Sequence, residues 1–264
     1  MTKIFKTQNS ELSIPAGKET RYTAYDPFAW VYNRHWEAAT LKFCPIIAIM
    51  LLRELPAGSA ILDLCCGTGQ VAGWLTTRGY RVTGLDGSEA MLSFARENAP
   101  EASFLLADAR AFSLPPSVQA VVSTFDSLNH ILDIGELTQA FRNAHSALFP
   151  GGVLLCDLNI RHGYIERWNG NFNIVESDHV CAWSTRYDDD TRLASWEMTI
   201  FRLFDTWERT DVRLTQRASE EEEIRQTLAE AGFADIRVYD NNRCPDGLRT
   251  LPQGRAFFLA RKKE

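Results

Sequence analysis

Nine residues, Ile61-Leu62-Asp63-Leu64-Cys65-Cys66-Gly67-Thr68-Gly69, constrain the fold of this chain more than any other stretch. An apolar run too short for a helix enters a glycine turn, and the helix-prone run Gln70 to Arg78 follows. Tyr80-Arg81-Val82-Thr83-Gly84-Leu85-Asp86 then repeats the strand pattern and ends in an acid. Strand, glycine turn, helix and strand in that order make a βαβ unit, which grips a nucleoside-like cofactor at the carboxyl ends of its strands. Gly67 and Gly69 carry no Cβ, so backbone can approach a ligand closely. Asp86 stands where a carboxylate can accept hydrogen bonds from both ribose hydroxyls.

The same alternation continues along the chain. Strands are expected at 60–64, 81–85, 102–106, 120–125 and 153–158, with helices near 70–78, 88–98 and 135–148. Ser88 ahead of Met91, Leu92 and Ala95 reads as a capped helix with one apolar side. Pro150-Gly151-Gly152 breaks the chain before Val153-Leu154-Leu155-Cys156. Such alternation implies a parallel sheet with helices on both faces. After Asn159 the period changes to two: Trp196, Met198 and Ile200 alternate with Glu197, Thr199 and Phe201, as Val212 and Leu214 do with Asp211, Arg213 and Thr215. Period two marks antiparallel strands, and Asp188-Asp189-Asp190-Thr191 suits a turn between two of them. Ser219 followed by Glu220 to Ala231 reads as a helix stopped at Gly232, and Ile236–Asp240 and Arg255–Ala260 as two closing strands.

Ahead of the first strand, residues 1 to about 20 form a polar arm without a period. Aromatics then crowd together as Tyr22, Tyr25, Phe28, Trp30, Tyr32 and Trp36. Asp26-Pro27 suits a helix start, with Asp as cap and Pro at the first helical position. A second helix is expected from Pro45 to near Pro56-Ala57-Gly58. The organisation is therefore an N-terminal arm and aromatic segment (1–58), an α/β core (59–160), an antiparallel β insertion (161–218), and a last helix and strands that complete the core sheet (219–264).

At 264 residues, with 45% hydrophobic and 23% charged residues, the composition is that of a soluble globular protein with a sizeable core. A formal charge of −6 argues against a nucleic-acid binder that works by neutralising phosphates. The first residues lack the apolar core of a signal peptide. The apolar run Cys44 to Leu52 is far shorter than the roughly 20 residues that span a bilayer, so a cytoplasmic protein with no membrane partner is expected. Six cysteines without a C-x-x-C pair suggest reduced, buried thiols rather than a disulfide framework or a metal site.

Gly67-Thr68-Gly69-Gln70-Val71-Ala72 satisfies G-x-G-x-x-A, so an NAD(P)-dependent oxidoreductase is one alternative, although no Tyr-x-x-x-Lys pair accompanies it. Three features favour S-adenosylmethionine. Asp63 lies inside the strand end, where a carboxylate can hold the methionine ammonium. Ala107-Asp108-Ala109-Arg110 follows the third strand and places an acid near the adenine amine. Pro150-Gly151-Gly152 and the ending Gly254-Arg255-Ala256-Phe257-Phe258-Leu259 suit a sheet finished by an antiparallel strand.

Over residues 22–264 these motifs, in this order and spacing, resemble the class I S-adenosylmethionine-dependent methyltransferases. The resemblance is nearest to small-molecule enzymes with an aromatic N-terminal helix and a β-rich insertion, such as glycine and amino-sugar N-methyltransferases. It implies a doubly wound, Rossmann-like α/β fold: a seven-stranded sheet, mostly parallel with an antiparallel last strand, plus an antiparallel β insertion before strand 6. It also implies that Asp63, Gly67 and Gly69, with Cys65 in the same turn, meet the methionine end of the cofactor. Asp86 would hold the ribose, Asp108 and Ala109 would edge the adenine, and Gly87 and Met91 would pack on its face. Tyr25 and Tyr32 would belong to a lid over the cofactor. Asn33 departs from the resemblance, since the family often has an acid there.

The resemblance further places the end of the fourth strand against the methyl group. Phe125 and Asp126 would border the sulfonium, with Asn129 and His130 on the following turn. Catalysis then consists largely of holding a nucleophile in line in a dry site. His130 is the candidate general base, needed for a hydroxyl or an ammonium acceptor; Asp126 is the candidate to hold an acceptor amine by charge. Arg161, His162, Tyr164 and Trp168, with Trp183 and Arg186 of the insertion, are candidates to line the acceptor pocket. The function implied is methylation of a small-molecule acceptor, nitrogen slightly ahead of oxygen, with S-adenosylhomocysteine as product. Besides the oxidoreductase, a non-catalytic cofactor-binding regulatory module is the rival.

Overall fold

The computed structural model describes residues 22–264, so the polar arm expected at 1 to about 20 lies outside the described residues. A 3-10 turn (Thr23–Phe28) leads into three short helices, α1 (Ala29–His35), α2 (Glu37–Leu41) and α3 (Cys44–Met50). Strands and helices then alternate: β1 (Ala60–Leu64), α4 (Gln70–Thr76), β2 (Arg81–Asp86), α5 (Glu89–Asn98), β3 (Ser103–Leu106), β4 (Val118–Ser123), α6 (Ile134–Ala147) and β5 (Leu148–Asn159). After α7 (Arg161–Arg167) come β6 (Gly170–Val175), β7 (His179–Asp188), β8 (Leu193–Leu203) and β9 (Trp207–Arg217). The chain returns through α8 (Glu221–Glu230) to β10 (Phe233–Tyr239) and β11 (Arg255–Lys262).

Among the described residues, seven strands form one sheet in the order β10-β11-β5-β4-β1-β2-β3, and β6 to β9 form a separate antiparallel sheet. β11 runs antiparallel to both of its neighbours, β5 and β10. This is the Rossmann-like architecture expected. β1 lies between β2 and β4, so the chain winds one way to β3 and then crosses to the other side. A crevice opens at that reversal, outside the carboxyl ends of β1 and β4.

Alternation along the central strands splits the core between the two faces of the sheet. Leu62, Leu64, Val121 and Phe258 meet Phe141 of α6 and Leu228 of α8 on one face. Ile61, Val122 and Phe257 meet Ile47 of α3 and Val71 and Leu75 of α4 on the other. Each such aliphatic or aromatic side chain contributes about 1.5–3 kcal/mol on burial. A third cluster joins Phe28 and Val31 to Met91 of α5 and to Cys181, Met198, Ile200, Val212 and Leu214 of the antiparallel sheet. The N-terminal segment is thereby held between α5 and that sheet, across the mouth of the crevice.

Several local expectations are corrected. Asp26 does not cap its own helix: its Oδ1 accepts from Ser88 Oγ at 2.5 Å and from Ala90 N–H at 3.4 Å, so it serves the start of α5. β4 ends at Ser123 rather than 125, because Phe125 (φ 66°) and Asp126 (φ 53°) turn left-handed. β5 begins at Leu148 and runs through Pro150-Gly151-Gly152; Gly151 at φ 75° absorbs an irregularity that shifts the register against β4. The helix expected to reach Pro56 stops at Met50, with a 3-10 turn at Leu52–Glu54. Glu220 and Glu223 form a reciprocal capping box on α8, a task expected of Ser219. The six cysteines are free thiols. Among the described residues no single helix is long and apolar enough to cross a membrane; the bent pair within 23–54 has the length and apolarity, and its Phe28, Val31, Ile47 and Leu51 are buried in the core.

Candidate active site at the strand ends

The turn after β1 is folded tightly enough to put backbone against a ligand. Cys65 (φ 61°), Gly67 (φ 54°) and Gly69 (φ 81°) are all left-handed. At Gly69 a Cβ would lie 2.9 Å from Ala95, so this glycine lets the turn pack on α5 rather than reach into the cavity. Asp86, at the end of β2, ties the turn down. Its Oδ2 accepts from Gly67 N–H at 2.8 Å and its Oδ1 from Ser88 N–H at 2.9 Å. Burial pushes its pKa up to about 6, while those N–H groups pull the other way.

Asp63 is pushed further, to about 7, by burial and then by the charge of Asp86. Its Oδ2 is buried and has no hydrogen-bond partner among the described residues. An orphaned carboxylate oxygen facing a cavity suits an ammonium group. Asp108 is fixed by Arg110, whose Nε and a terminal nitrogen reach it at 2.9 and 2.7 Å, while Arg110 also pairs with Glu136 at 2.9 Å. At Gly87 a Cβ would meet Tyr22 at 2.6 Å, and Tyr22 N–H donates to the Gly87 carbonyl at 2.9 Å. The N-terminal segment therefore crosses the crevice directly above the end of β2.

The other half of the cavity is built from the end of β4 and from the antiparallel sheet. His130, in the 3-10 turn Ser127–His130, has Nδ1 2.9 Å from the Thr215 carbonyl of β9. A carbonyl only accepts, so Nδ1 carries the hydrogen and Nε2 of the neutral ring is the acceptor. Nε2 lies 2.8 Å from the Tyr25 hydroxyl and 3.1 Å from Gln216 Nε2. Burial lowers the pKa of His130; the charge of Asp126 and the Thr215 carbonyl work against that. Burial holds the Tyr25 hydroxyl well above its ordinary pKa, so it remains a donor. Asp126 accepts from Gln216 Nε2 at 2.6 Å and is paired with Arg255. Trp196 of β8 completes the wall.

Thirteen of the residues expected from the sequence line this one cavity: Tyr25, Tyr32, Asp63, Cys65, Gly67, Asp86, Gly87, Met91, Asp108, Ala109, Phe125, Asp126 and His130. With its open mouth it encloses about 1060 Å³, room for a nucleoside-sized ligand and a small acceptor. The expected acceptor residues fare differently. Asn129 is a buried splice: it donates to the Asn159 and Arg217 carbonyls, both at 2.9 Å, and accepts from Asn159 N–H at 3.0 Å. Arg161 is tied to Asp189 and Glu220. Tyr164 lies behind the wall, donating to Gln216 Oε1 at 2.8 Å, with Trp168 packed on it. Trp183 stacks on Phe172 within the antiparallel sheet. His162 sits beside Glu166, and Arg186 donates to the Gly170 and Thr185 carbonyls. The helix α7 carries Arg161, His162 and Tyr164, and Trp168 just after it, away from the crevice.

Tyr22, Arg110, Ile131, Trp196 and Gln216 also line the cavity and were not expected there. Tyr22 belongs to the aromatic run and Arg110 to the acid-bearing turn, so both had a signal. Trp196 and Gln216 depend on how the antiparallel sheet is placed. Asn33, at the position where an acid is common in the resembling family, accepts from Asn98 Nδ2 at 2.7 Å and from Gln70 Nε2 at 3.4 Å, joining α1 to α5 and α4.

A family model for a methyltransferase domain matches residues 61–152. YqeM of Bacillus subtilis (strain 168), named as a methyltransferase, is 31% identical over 220 residues, covering 80% of this chain and 87% of that protein. The dTDP-3-amino-3,4,6-trideoxy-alpha-D-glucopyranose N,N-dimethyltransferase of Streptomyces venezuelae is 35% identical over 111 residues, 42% of this chain and 47% of that one. Among solved structures, a sugar N-methyltransferase from Streptoalloteichus sp. ATCC 53650 superposes with a TM-score of 0.72 at 18% identity, with both chains fully covered.

Proposed function

The chain belongs to the S-adenosylmethionine-dependent methyltransferases, and from that premise we propose that it methylates the nitrogen of a small amine, of amino-sugar size, beside His130. Membership disposes of the oxidoreductase alternative. When bound, S-adenosylmethionine supplies a methyl group activated by its sulfonium. The unpartnered Oδ2 of Asp63 fits the cofactor's ammonium. Each oxygen of Asp86 keeps a lone pair beyond the one that Gly67 or Ser88 uses, which suits two hydroxyls. Asp108, Ala109 and Met91 line the same cavity and would hold the adenine.

The observation that carries the acceptor reading is the setting of His130. Its Nδ1–H is held by the Thr215 carbonyl, and its bare Nε2 faces the cavity through the Tyr25 hydroxyl. An acceptor amine can give its proton to the Tyr25 oxygen as the Tyr25 hydrogen passes to His130 Nε2. Lowered by burial, the ring stays neutral and ready to accept at neutral pH. Asp126, matched by Arg255, holds the wall rather than an incoming ammonium. The lining offers a carboxylate acceptor no free cation: among the described lining residues Arg110 is tied to Asp108 and Glu136. The amino-sugar N-methyltransferases among the relatives support the same class.

The test is S-adenosylhomocysteine release from a panel of glucosamine, galactosamine and simple primary amines, set against matched sugars without nitrogen, phenols and carboxylates. Turnover confined to the amines is expected. Turnover of hydroxyl or carboxylate acceptors alone would overturn the nitrogen assignment.

A further inference from the structure

We propose that Arg255 and Asp157 are positioning residues for methyl transfer, clamping the Phe125–Asp126 turn that walls the acceptor side of the cavity. The proposal rests on that side being where the acceptor binds. Phe125 (φ 66°) and Asp126 (φ 53°) are consecutive non-glycine residues in the left-handed region. Such a pair persists only where its surroundings over-determine it, and these surroundings do. Asp157 on β5 accepts both backbone N–H groups, Phe125 at 2.6 Å and Asp126 at 3.2 Å. Arg255 on β11 joins the carboxylates of Asp157 and Asp126 through separate nitrogens. Its guanidinium also lies against two rings that meet edge to face, 5.2 Å from the centre of Phe43 and 5.4 Å from that of Phe125.

The clamp is itself anchored. Gly254, left-handed at φ 74°, accepts from Ile160 N–H at 3.2 Å, and its backbone touches that of Gly163, where a Cβ would come within 2.3 Å of the Gly254 carbonyl oxygen. The first residue of β11 is therefore pinned to the junction of β5 and α7. Burial raises Asp157 to about 6 against the pull of Arg255, which marks a charge network kept out of water. Arg255 also balances Asp126 beside His130. Without the cation, Asp126 acts on the imidazole unopposed and makes it more basic.

Arg255→Lys, Arg255→Gln and Asp157→Asn in the full chain test this, with active sites counted by S-adenosylhomocysteine titration and rates measured on the acceptor that the panel turns over. Lysine keeps the charge but cannot bridge two carboxylates from separate nitrogens. We expect kcat per titrated site to fall about 10- to 100-fold in Arg255→Lys and Asp157→Asn, the scale of a misplaced reacting group, with cofactor affinity within threefold of wild type. In Arg255→Gln the acid limb of the pH–rate profile should move to higher pH, while in Arg255→Lys it stays. Variants that melt earlier yet keep kcat per site within twofold, with the acid limb unmoved, would make the clamp merely structural and overturn the proposal. If instead His130→Gln keeps wild-type activity, the base reading fails alone, and the clamp is judged on kcat.

Discussion

Asp86 is the residue on which the turn after β1 depends, and the one proposed to hold the cofactor's ribose. It holds Gly67 and Ser88 by their N–H groups and still presents lone pairs to the cavity. A hydrogen bond to a charged group is worth about 1.5–3 kcal/mol, so Asp86→Ala should weaken S-adenosylhomocysteine binding roughly 10- to 100-fold. Calorimetry on a variant whose circular dichroism is unchanged would dismiss the assignment if affinity stayed level. His130→Gln keeps a polar side chain but removes the titrating ring. Its kcat should fall by about 10²- to 10⁴-fold if His130 is a general base. Because burial lowers the histidine pKa, the wild-type acid limb should lie below the ordinary value of about 6.5. A loss under tenfold with an unmoved limb would leave His130 a structural residue. That the residues expected on the cofactor side meet at one cavity was legible because a strand end and its turn are one local object: once Ile61 and Leu62 are buried on opposite faces, Asp63 and Gly67 have little choice of place. Gln216, Trp196 and Arg255 reach the site from strands far along the chain, and the register that delivers them leaves no mark beside them in sequence. Arg161, Tyr164 and Trp168 erred the other way. They follow β5 directly, yet α7 points them elsewhere.

The element laid across the cavity is the segment from Tyr22 to Leu41. Aromatic crowding from Tyr22 to Trp36 identified most of it, but its 3-10 turn and two short helices follow no long period, and the partners that hold it are non-local. Polar side chains fasten it to the rest of the molecule: Tyr25 to His130, Asp26 to Ser88, Asn33 to Asn98 and Gln70, Arg34 to Asp178 at 3.4 Å, and His35 to His179 at 2.6 Å. Phe28 and Val31 meanwhile bury themselves against the antiparallel sheet. Closing the cavity thus joins the segment to both parts of the molecule at once, and opening it must break contacts with both. A single hydrogen bond contributes about 0.5–1.5 kcal/mol, so Asn33→Ala should speed S-adenosylhomocysteine dissociation by roughly two- to tenfold in a stopped-flow chase. Hydrogen exchange in 22–41 should slow when S-adenosylhomocysteine is added, and slow less in the variant. Equal exchange with and without ligand in both proteins would mean that the segment is fixed core and not a lid.

At the scale of the whole molecule, the fold keeps carboxylates at the strand ends where burial disfavours their charge. Asp63 is raised to about 7 and Asp86 to about 6, so without a cofactor the folded protein holds protons that the unfolded chain releases near pH 4. Stability rises with pH only where the unfolded state binds more protons. Here the folded state binds more, so these groups lower stability as pH rises from about 4 through 7. Histidines with lowered values, His130 among them, act in the opposite sense below about 6.5. Comparison with Asp63→Asn isolates the carboxylate: relative to that variant, the ligand-free wild type should lose melting temperature across this window. An ammonium at Asp63 reverses the balance by favouring the ionised form. Binding S-adenosylmethionine at pH 6, where a group with a pKa of about 7 is mostly protonated, should therefore release close to one proton, fading above about pH 8. Titration calorimetry in two buffers of different ionisation enthalpy counts that proton directly. The same count in Asp63→Asn should drop by nearly the whole amount. A wild type that releases none at pH 6, or a variant that releases as many, would place the cofactor's ammonium away from Asp63.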